Sequence, residues 1–355
     1  MRAKKVTYKS TGIDMKKIIK AQNTIGRIIS TSRSFLTHGR VLSGFGHYAG
    51  LIEIDGKIFA LHTDGVGTKI IVSQMMNRFD TIGIDCVAMN VNDIICVGAK
   101  PVGFIDYIAI TDPDSVLLGD IVKGLVRGAK DASVPIVGGE TAVIPELLSK
   151  GSQKKAFDLV GMAFGIIPEK NKIIMGSKIK KGDIIIGIAS SGLHSNGYTL
   201  ARRVLLSKHS LSDCVGETNQ TIGEMILAPT RIYVRPIVTL IENDNIPIHG
   251  LLHVTGGSFT KFSRLNNRVN YRLDSLPVPT DIFKLIQKEG HIRIKEMYKT
   301  FNMGIGFCLV IPGSSVDNAI ETIERYGMSC SCIGRIIGPG SGNIQIKTGG
   351  RTFTL

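Results

Sequence analysis

The sequence predicts an α/β protein built of two mixed domains, and three observations predict it. Its 355 residues amount to two domains at roughly 150 residues each. Strand-like and helix-like apolar spacings alternate through both halves. The polar, basic stretch PEKNKIIMGSKIKKG (168–182) separates them, so the expected division is 1–168 and 169–355.

In the first domain, Leu51 to Ile54 and Ile58 to His62 read as strands joined by Asp55-Gly56, the strongest short hairpin signal. The basic leader before them has no clear period. Asp80 to Val97 carries helical apolar spacing at Ile84, Val87, Val91, Ile94 and Ile95, and stops at Gly98 with Pro101 beyond. Pro101 to Ile110 alternates as a strand. Asp114 to Asp131 reads as a helix capped by Asp112 or Asp114, and Val134 to Val137 and Phe157 to Ile167 complete an order ββαβαββ, a helix layer on one sheet. The second domain begins at the apolar strand Asp183 to Ala189. Helices near 196–206, 230–242 and 315–325 and strands near 248–254 and 305–311 make it a mixed sheet flanked by helices. No fixed-period repeat interrupts either half.

Apolar residues are 43% and charged residues 20%, which excludes wholesale disorder. No apolar run reaches the ~18 to 20 residues of a membrane span, and MRAKKVTYKS is not followed by the apolar core of a signal peptide, so a cytoplasmic protein without membrane partners is expected. The six cysteines form no CxxC pair. Cys330 and Cys332 alternate in a strand and point to one face, as two structural thiols or a redox couple.

The formal charge of +14 invites a nucleic-acid reading, but its distribution argues against one. Residues 1–60 carry 11 basic and 3 acidic side chains (+8), 61–170 carry 10 and 13 (−3), and the rest carry 22 and 13 (+9). The motif-bearing third is acidic. Tryptophan is absent and aromatics are 6%, which leaves little for base stacking. Basic flanks around an acidic, glycine-bearing centre suit an enzyme that binds polyanionic small molecules through a metal.

Gly44-Phe45-Gly46-His47-Tyr48-Ala49 fits GxGxxG/A, but a strand follows it where a dinucleotide site requires a helix. What survives is a glycine-rich segment whose backbone N–H groups approach phosphate, or an ordinary surface loop. HTDGVGTK (62–69) delivers Asp64 from a strand into a turn and then presents Thr68 and Lys69: a carboxylate for Mg²⁺ and a cation for phosphate, or an Asx-capped turn. Asp85, Asn92 and Asp93 then load oxygen-bearing side chains onto an apolar helix, where burial without a cation is costly. Asp106 shares a strand face with Phe104 and Ile108, and VGGETA (137–142) ends a strand with two glycines and Glu140. Singly each is explained by a cap or salt bridge; jointly they suit Mg²⁺ bridging nucleotide phosphates. In the second half SSGLHSNGY (190–198) and TGGSF (255–259) each run from strand through small residues into a helix, the form of an anion site.

These motifs, in order, resemble the aminoimidazole ribonucleotide synthetase (phosphoribosylformylglycinamidine cyclo-ligase) family. The resemblance runs from TYKSTGID (7–14), SGFG (43–46), HTDGVGTK and DTIGIDCVAMNVNDIICVGAKP (80–101) to FIDYIA (104–109), GGET (138–141), SSGLHSNGY, LAPTRIYV (227–234) and MYKTFNMGIGF (297–307). Within the same superfamily, a selenophosphate synthetase needs a reactive cysteine near the N-terminal glycine loop and the hydrogenase-maturation enzyme a C-terminal one. The first cysteine here is Cys86, and the chain ends Phe-Thr-Leu. Thiamine-monophosphate kinase is the remaining relative to separate. The commoner TGGGF and GGETAEMP of the family are TGGSF and GGETAVIP here, with Ser258 and Val143 the departures.

The resemblance implies two α/β domains dimerising through the first domain's sheet, and ATP-dependent ring closure of formylglycinamidine ribonucleotide in purine biosynthesis. It further implies Asp64, Asp93 and Glu140 for Mg²⁺, with Asp64, Lys69 and His194 in catalysis. Gly44, Gly46, Thr63, Gly65, Gly67, Thr68, Asn92, Gly138 and Gly139 would contact ATP. Ser195, Asn196, Thr255, Gly256 and Gly257 would contact the ribonucleotide substrate.

Overall fold

A computed structural model describes residues 15–148, 155–216 and 219–355. The TYKSTGID motif lies outside them. The basic leader, whose sequence has no clear period, forms helix α1 (Met15–Ser30), and a one-turn segment follows at Thr31–Phe35. Strands β1 (Arg40–Val41), β2 (Gly50–Ile54) and β3 (Lys57–Gly65) come next. Asp55 (φ 49) and Gly56 (φ 75) are both left-handed, so the β2–β3 hairpin closes with the two-residue turn whose twist matches its strands.

Helices α2 (Lys69–Met75) and α3 (Ile82–Ile95), strand β4 (Lys100–Ile110), helix α4 (Ser115–Ala132), strand β5 (Ile136–Val143), helix α5 (Pro145–Leu148) and strand β6 (Phe157–Ile167) complete the first unit. Its sheet runs β1-β2-β3-β6-β4-β5, with only the β4–β5 pair parallel. Asp114 caps α4, its carboxylate accepting from Val116 N (2.8 Å) and Leu117 N (3.2 Å). α3 lies on the inner sheet face and crosses α4 closely. A Cβ on Gly83 would stand 2.1 Å from Leu125 N, so a glycine is required there. Every residue of α3 except Ile84 is buried, because the second unit closes over it.

The expected strand at 134–137 instead spans Ile136–Val143, so Gly138, Gly139 and Glu140 lie within it. Parallel pairing with β4 overrides the poor strand propensity of two glycines, and Gly139 has a steric reason. A Cβ there would sit 2.7 Å from Asp106 Oδ1.

The second unit contains β7 (Ile184–Ala189), α6 (Tyr198–Leu205), α7 (Ile222–Leu227), α8 (Val234–Glu242), β8 (Gly250–His253), α9 (Phe262–Leu265), β9 (Val269–Leu273), α10 (Asp281–Glu289), α11 (Ile294–Thr300), β10 (Ile305–Ile311), α12 (Val316–Arg325), β11 (Cys330–Pro339), β12 (Ile344–Thr348) and β13 (Arg351–Thr354). Its seven strands run β13-β12-β9-β11-β7-β10-β8, and the two sheets share no strand. Cys330 and Cys332 are free thiols on β11. Among the described residues, no helix is long and apolar enough to cross a membrane.

Candidate functional site

A cavity of about 610 Å³ opens where the two units meet. One wall is the glycine-rich turn 45–48, which connects β1 to β2, with Gln22 and Asn23 of α1 beside it. The end of β3 supplies His62, Thr63 and Asp64, α3 supplies Asp93, and Lys261 and Arg264 close the cavity from the second unit. Of the residues expected to bind nucleotide or metal, Gly46, Thr63, Asp64 and Asp93 are brought together here.

The two carboxylates occupy different electrostatic positions. Burial raises the Asp64 carboxyl above the ordinary carboxylate value and the nearby negative charge of Asp93 adds to the rise, against His62 and the 2.8 Å hydrogen bond donated by Gly65 N. Burial also pushes Asp93 upward, but the hydrogen bond with His253 and the positive side chains around it outweigh that, and its carboxyl sits below the usual value. His253 Nδ1 is 2.7 Å from Asp93 Oδ1. Its Nε2 faces Asn92 Nδ2 at 3.4 Å, an amide N–H that can only donate, which assigns the imidazole proton to Nδ1 and makes His253 a neutral donor to Asp93. His62 Nε2 approaches Asp93 Oδ2 at 3.5 Å without a hydrogen bond. Desolvation lowers the pKa of His47 to about 4, and neither of its ring nitrogens has a hydrogen-bond partner.

Several expectations need correction. Lys69, read as a phosphate counter-charge, is fully buried, donating to Asp85 Oδ1 (2.8 Å) and Ala228 O (2.6 Å). Asp85 Oδ1 also accepts from Thr230 N (2.7 Å), Thr230 Oγ1 (2.6 Å) and Ser195 Oγ (3.2 Å), so Ser195 is bound into this knot rather than presented to a substrate. Asn92, expected near nucleotide, accepts from Tyr233 N (2.9 Å) and donates to Arg231 O (2.9 Å). The oxygen-bearing side chains of α3 are indeed compensated, Asp85 by the Lys69 ammonium together with second-unit donors and Asn92 by second-unit backbone groups, rather than by a metal ion.

Glu140 is exposed on edge strand β5, its carboxylate accepting from Thr141 N. β5 is three strands from β3, about 14 Å at 4.8 Å per strand, so Glu140 cannot share one ion with Asp64 of the same chain. Gly138 and Gly139 stand with it, away from the cavity, and Gly44 is exposed outside the lining. His194 is buried and left-handed (φ 61), its Nε2 accepting from Ser191 N (3.3 Å) while Nδ1 has no partner. It packs against Gly306, where a Cβ would lie 2.4 Å from its Cε1.

Gly65 ends β3, Gly67 takes φ 69, and Thr68 crosses to the second unit through Thr199 Oγ1 at 3.3 Å. Asn196 and the Thr255–Gly257 turn come together: a Cβ on Gly256 would be 3.0 Å from Asn196 Oδ1, and Asn196 Nδ2 is buried without a partner. Ser258 adopts φ 47, the glycine-like conformation its place in TGGSF demands, and donates to Phe301 O at 2.6 Å. Val143 ends the edge strand β5, half-exposed, and is not in the cavity lining. Sequence reasoning missed Lys261, His253 and His47. The signal for His253 was a histidine at the end of the otherwise apolar strand GLLH, two residues before TGG.

Two mixed sheets holding an acidic cavity against a glycine-rich turn define a two-unit α/β protein with an anion-and-cation cleft. The chain belongs to the AIR synthase related family: the family's N-terminal domain matches residues 46–167 and its C-terminal domain residues 180–347. It is 43% identical over 333 residues to the phosphoribosylformylglycinamidine cyclo-ligase of Methanobrevibacter smithii, covering 93% of this chain and 94% of that one. It is 45% identical over 320 residues to the protein of that name from Methanothermobacter thermautotrophicus, covering 90% and 91%. Among solved structures, the hydrogenase maturation protein HypE in complex with ATP shares the fold, with a TM-score of 0.62 and 17% identity over 91% of this chain and 88% of that one.

Proposed function

We propose that this chain is an ATP-dependent cyclo-ligase that converts formylglycinamidine ribonucleotide to aminoimidazole ribonucleotide with release of ADP and phosphate. The observation that carries this reading is the convergence of Asp64 and Asp93 on one cavity, in a chain that matches curated cyclo-ligases along nine-tenths of its length. ATP binding is part of the proposal, supported by the fold shared with a protein whose structure holds ATP.

A formamide oxygen is a poor leaving group. The γ-phosphoryl is transferred to it, the P–O bond to ADP breaking with its electron pair. A substrate nitrogen then attacks the former formyl carbon, and the C–O bond breaks with its pair on the departing phosphate. Protein groups contribute positioning and charge neutralisation. In this reading the turn 45–48 would take the nucleotide, and Asn196 with Thr255–Gly257 the ribonucleotide.

Mg²⁺ fits the cavity. No cluster of three or more His, Cys, Asp or Glu able to hold an ion occurs among the described residues, but Mg²⁺ needs only one or two carboxylates beside water and phosphate. Asp64 and Asp93, like charges in a desolvated cleft, would hold it, and it would neutralise charge developing on the phosphates. The division at residue 168, a homodimer and a cytoplasmic location complete the reading. The outer sheet face, with Phe59 stacked on Phe164 at 5.5 Å and Tyr107 exposed, supports the dimer.

Coupled ADP release tests the assignment. It should require formylglycinamidine ribonucleotide, and turnover with thiamine monophosphate instead would overturn it.

A further inference from the structure

Lys261 follows the TGGS turn on the second unit, and its buried side chain reaches the cavity that holds Asp64 and Asp93. Its ammonium donates to Thr255 Oγ1 and stands over the Tyr48 ring, 5.0 Å from the centroid. Both are neutral partners. Among the described residues no carboxylate lies within ion-pair distance of Lys261, although Asp93 and Asp64 attract it from farther off. An ammonium carries three N–H donors, and Thr255 takes one, so two remain for the cavity. A buried cation held only by neutral groups is an unfavourable arrangement in a protein on its own, and becomes favourable when an anion arrives. The two other candidate cations do not serve: Lys69 is sealed against Asp85, and Arg264 is exposed at the rim.

Resting on the cyclo-ligase reading, we propose that Lys261 is a catalytic residue whose ammonium meets the oxygens of the phosphoryl group as it passes from ATP to the formamide oxygen. Its location carries the inference. Through Thr255 it is tied to the turn placed to take the substrate, and across the cavity it faces the acid pair placed to take metal and nucleotide. A group between donor and acceptor contacts the equatorial phosphoryl oxygens, where charge is spread in the transition state. Lys261 keeps its protons throughout. The electron pair of the broken P–O bond goes to ADP, and in ring closure that of the C–O bond goes to phosphate, which leaves beside the same ammonium.

The test compares Lys261→Met, Lys261→Gln and Lys261→Arg with the wild-type full chain, measuring ADP release with ATP, Mg²⁺ and formylglycinamidine ribonucleotide, and Tm without ligands. Both neutral variants should lose about 100-fold or more in kcat with KM for each substrate within about threefold, as when one charge-stabilising donor is removed, and the arginine should recover part of the loss. Free Lys261→Met should melt at or above the wild-type temperature, because it deletes an unpaired buried charge. Neutral variants turning over within threefold of wild type would overturn the proposal. So would neutral variants whose lost activity is matched by a lowered Tm, since that marks a structural lysine. Wild type that releases no ADP with this substrate overturns the functional reading itself, a result distinct from either.

Discussion

Lys69 Nζ stands 2.8 Å from Asp85 Oδ1, and neither side chain reaches solvent. Both belong to the first unit, yet the remaining donors and acceptors of the pair, Thr230, Ser195 and Ala228 O, belong to the second. The pair therefore ties the two units together. Burial lowers the lysine's pKa, and the Asp85 charge opposes that. Lys69→Met strands a buried carboxylate and should cost about 3–5 kcal/mol of unfolding free energy in urea. Lys69→Met combined with Asp85→Asn should recover most of that loss; no recovery would contradict the ion-pair account.

Asp64→Asn removes charge at constant volume from a site where burial and Asp93 already disfavour ionisation. The variant should fold with an unchanged or raised Tm and lose most of its turnover. Full activity would remove Asp64 from the site.

Asp93 titrates below its unfolded value, so its stabilising contribution is complete above the ordinary carboxylate pKa of ~3.9 and is lost as pH falls through the lower folded value. His253→Phe deletes the donor while burial still pushes the carboxyl up. Stability should fall by about 1.5–3 kcal/mol at neutral pH, and the acid limb of the urea midpoint against pH should start higher. An unmoved acid limb would show that His253 does not set the charge of Asp93.

His47 shifts stability in the same direction, in a higher pH window. Its folded pKa of about 4 lies below the ordinary histidine value of 6.5, so the unfolded chain binds the proton more tightly, and stability declines as pH drops from 6.5 towards 4. The difference of about 2.5 units, at 1.36 kcal/mol each, bounds the loss at roughly 3 kcal/mol. His47→Asn should flatten the urea-midpoint profile over that window.

Elements with a strong local signal were legible in the sequence. The Asp55-Gly56 hairpin, the Asp114 cap and the run from Phe157 to Ile167 depend on neighbours a few residues away. Strand β5 was cut short because its glycines argue against a strand until β4 is known to lie beside it. In the cavity Asp64 and Asp93 were legible because an acid at the end of a strand or in an apolar helix demands an explanation. Asp85 and Asn92 demanded one as well, but apart from Lys69 their partners lie more than 100 residues away, and chain order does not distinguish a metal ion from a distant backbone N–H. Lys261 gave the weakest signal, a lysine in a short turn, since only the fold brings it opposite two carboxylates.

Oxygen tracing tests the central claim most directly. With the formyl oxygen of formylglycinamidine ribonucleotide labelled as ¹⁸O and ATP unlabelled, phosphoryl transfer to that oxygen followed by ring closure should place the label in the released inorganic phosphate, one atom for each ring formed. Ring formation with unlabelled phosphate and labelled water would contradict the account.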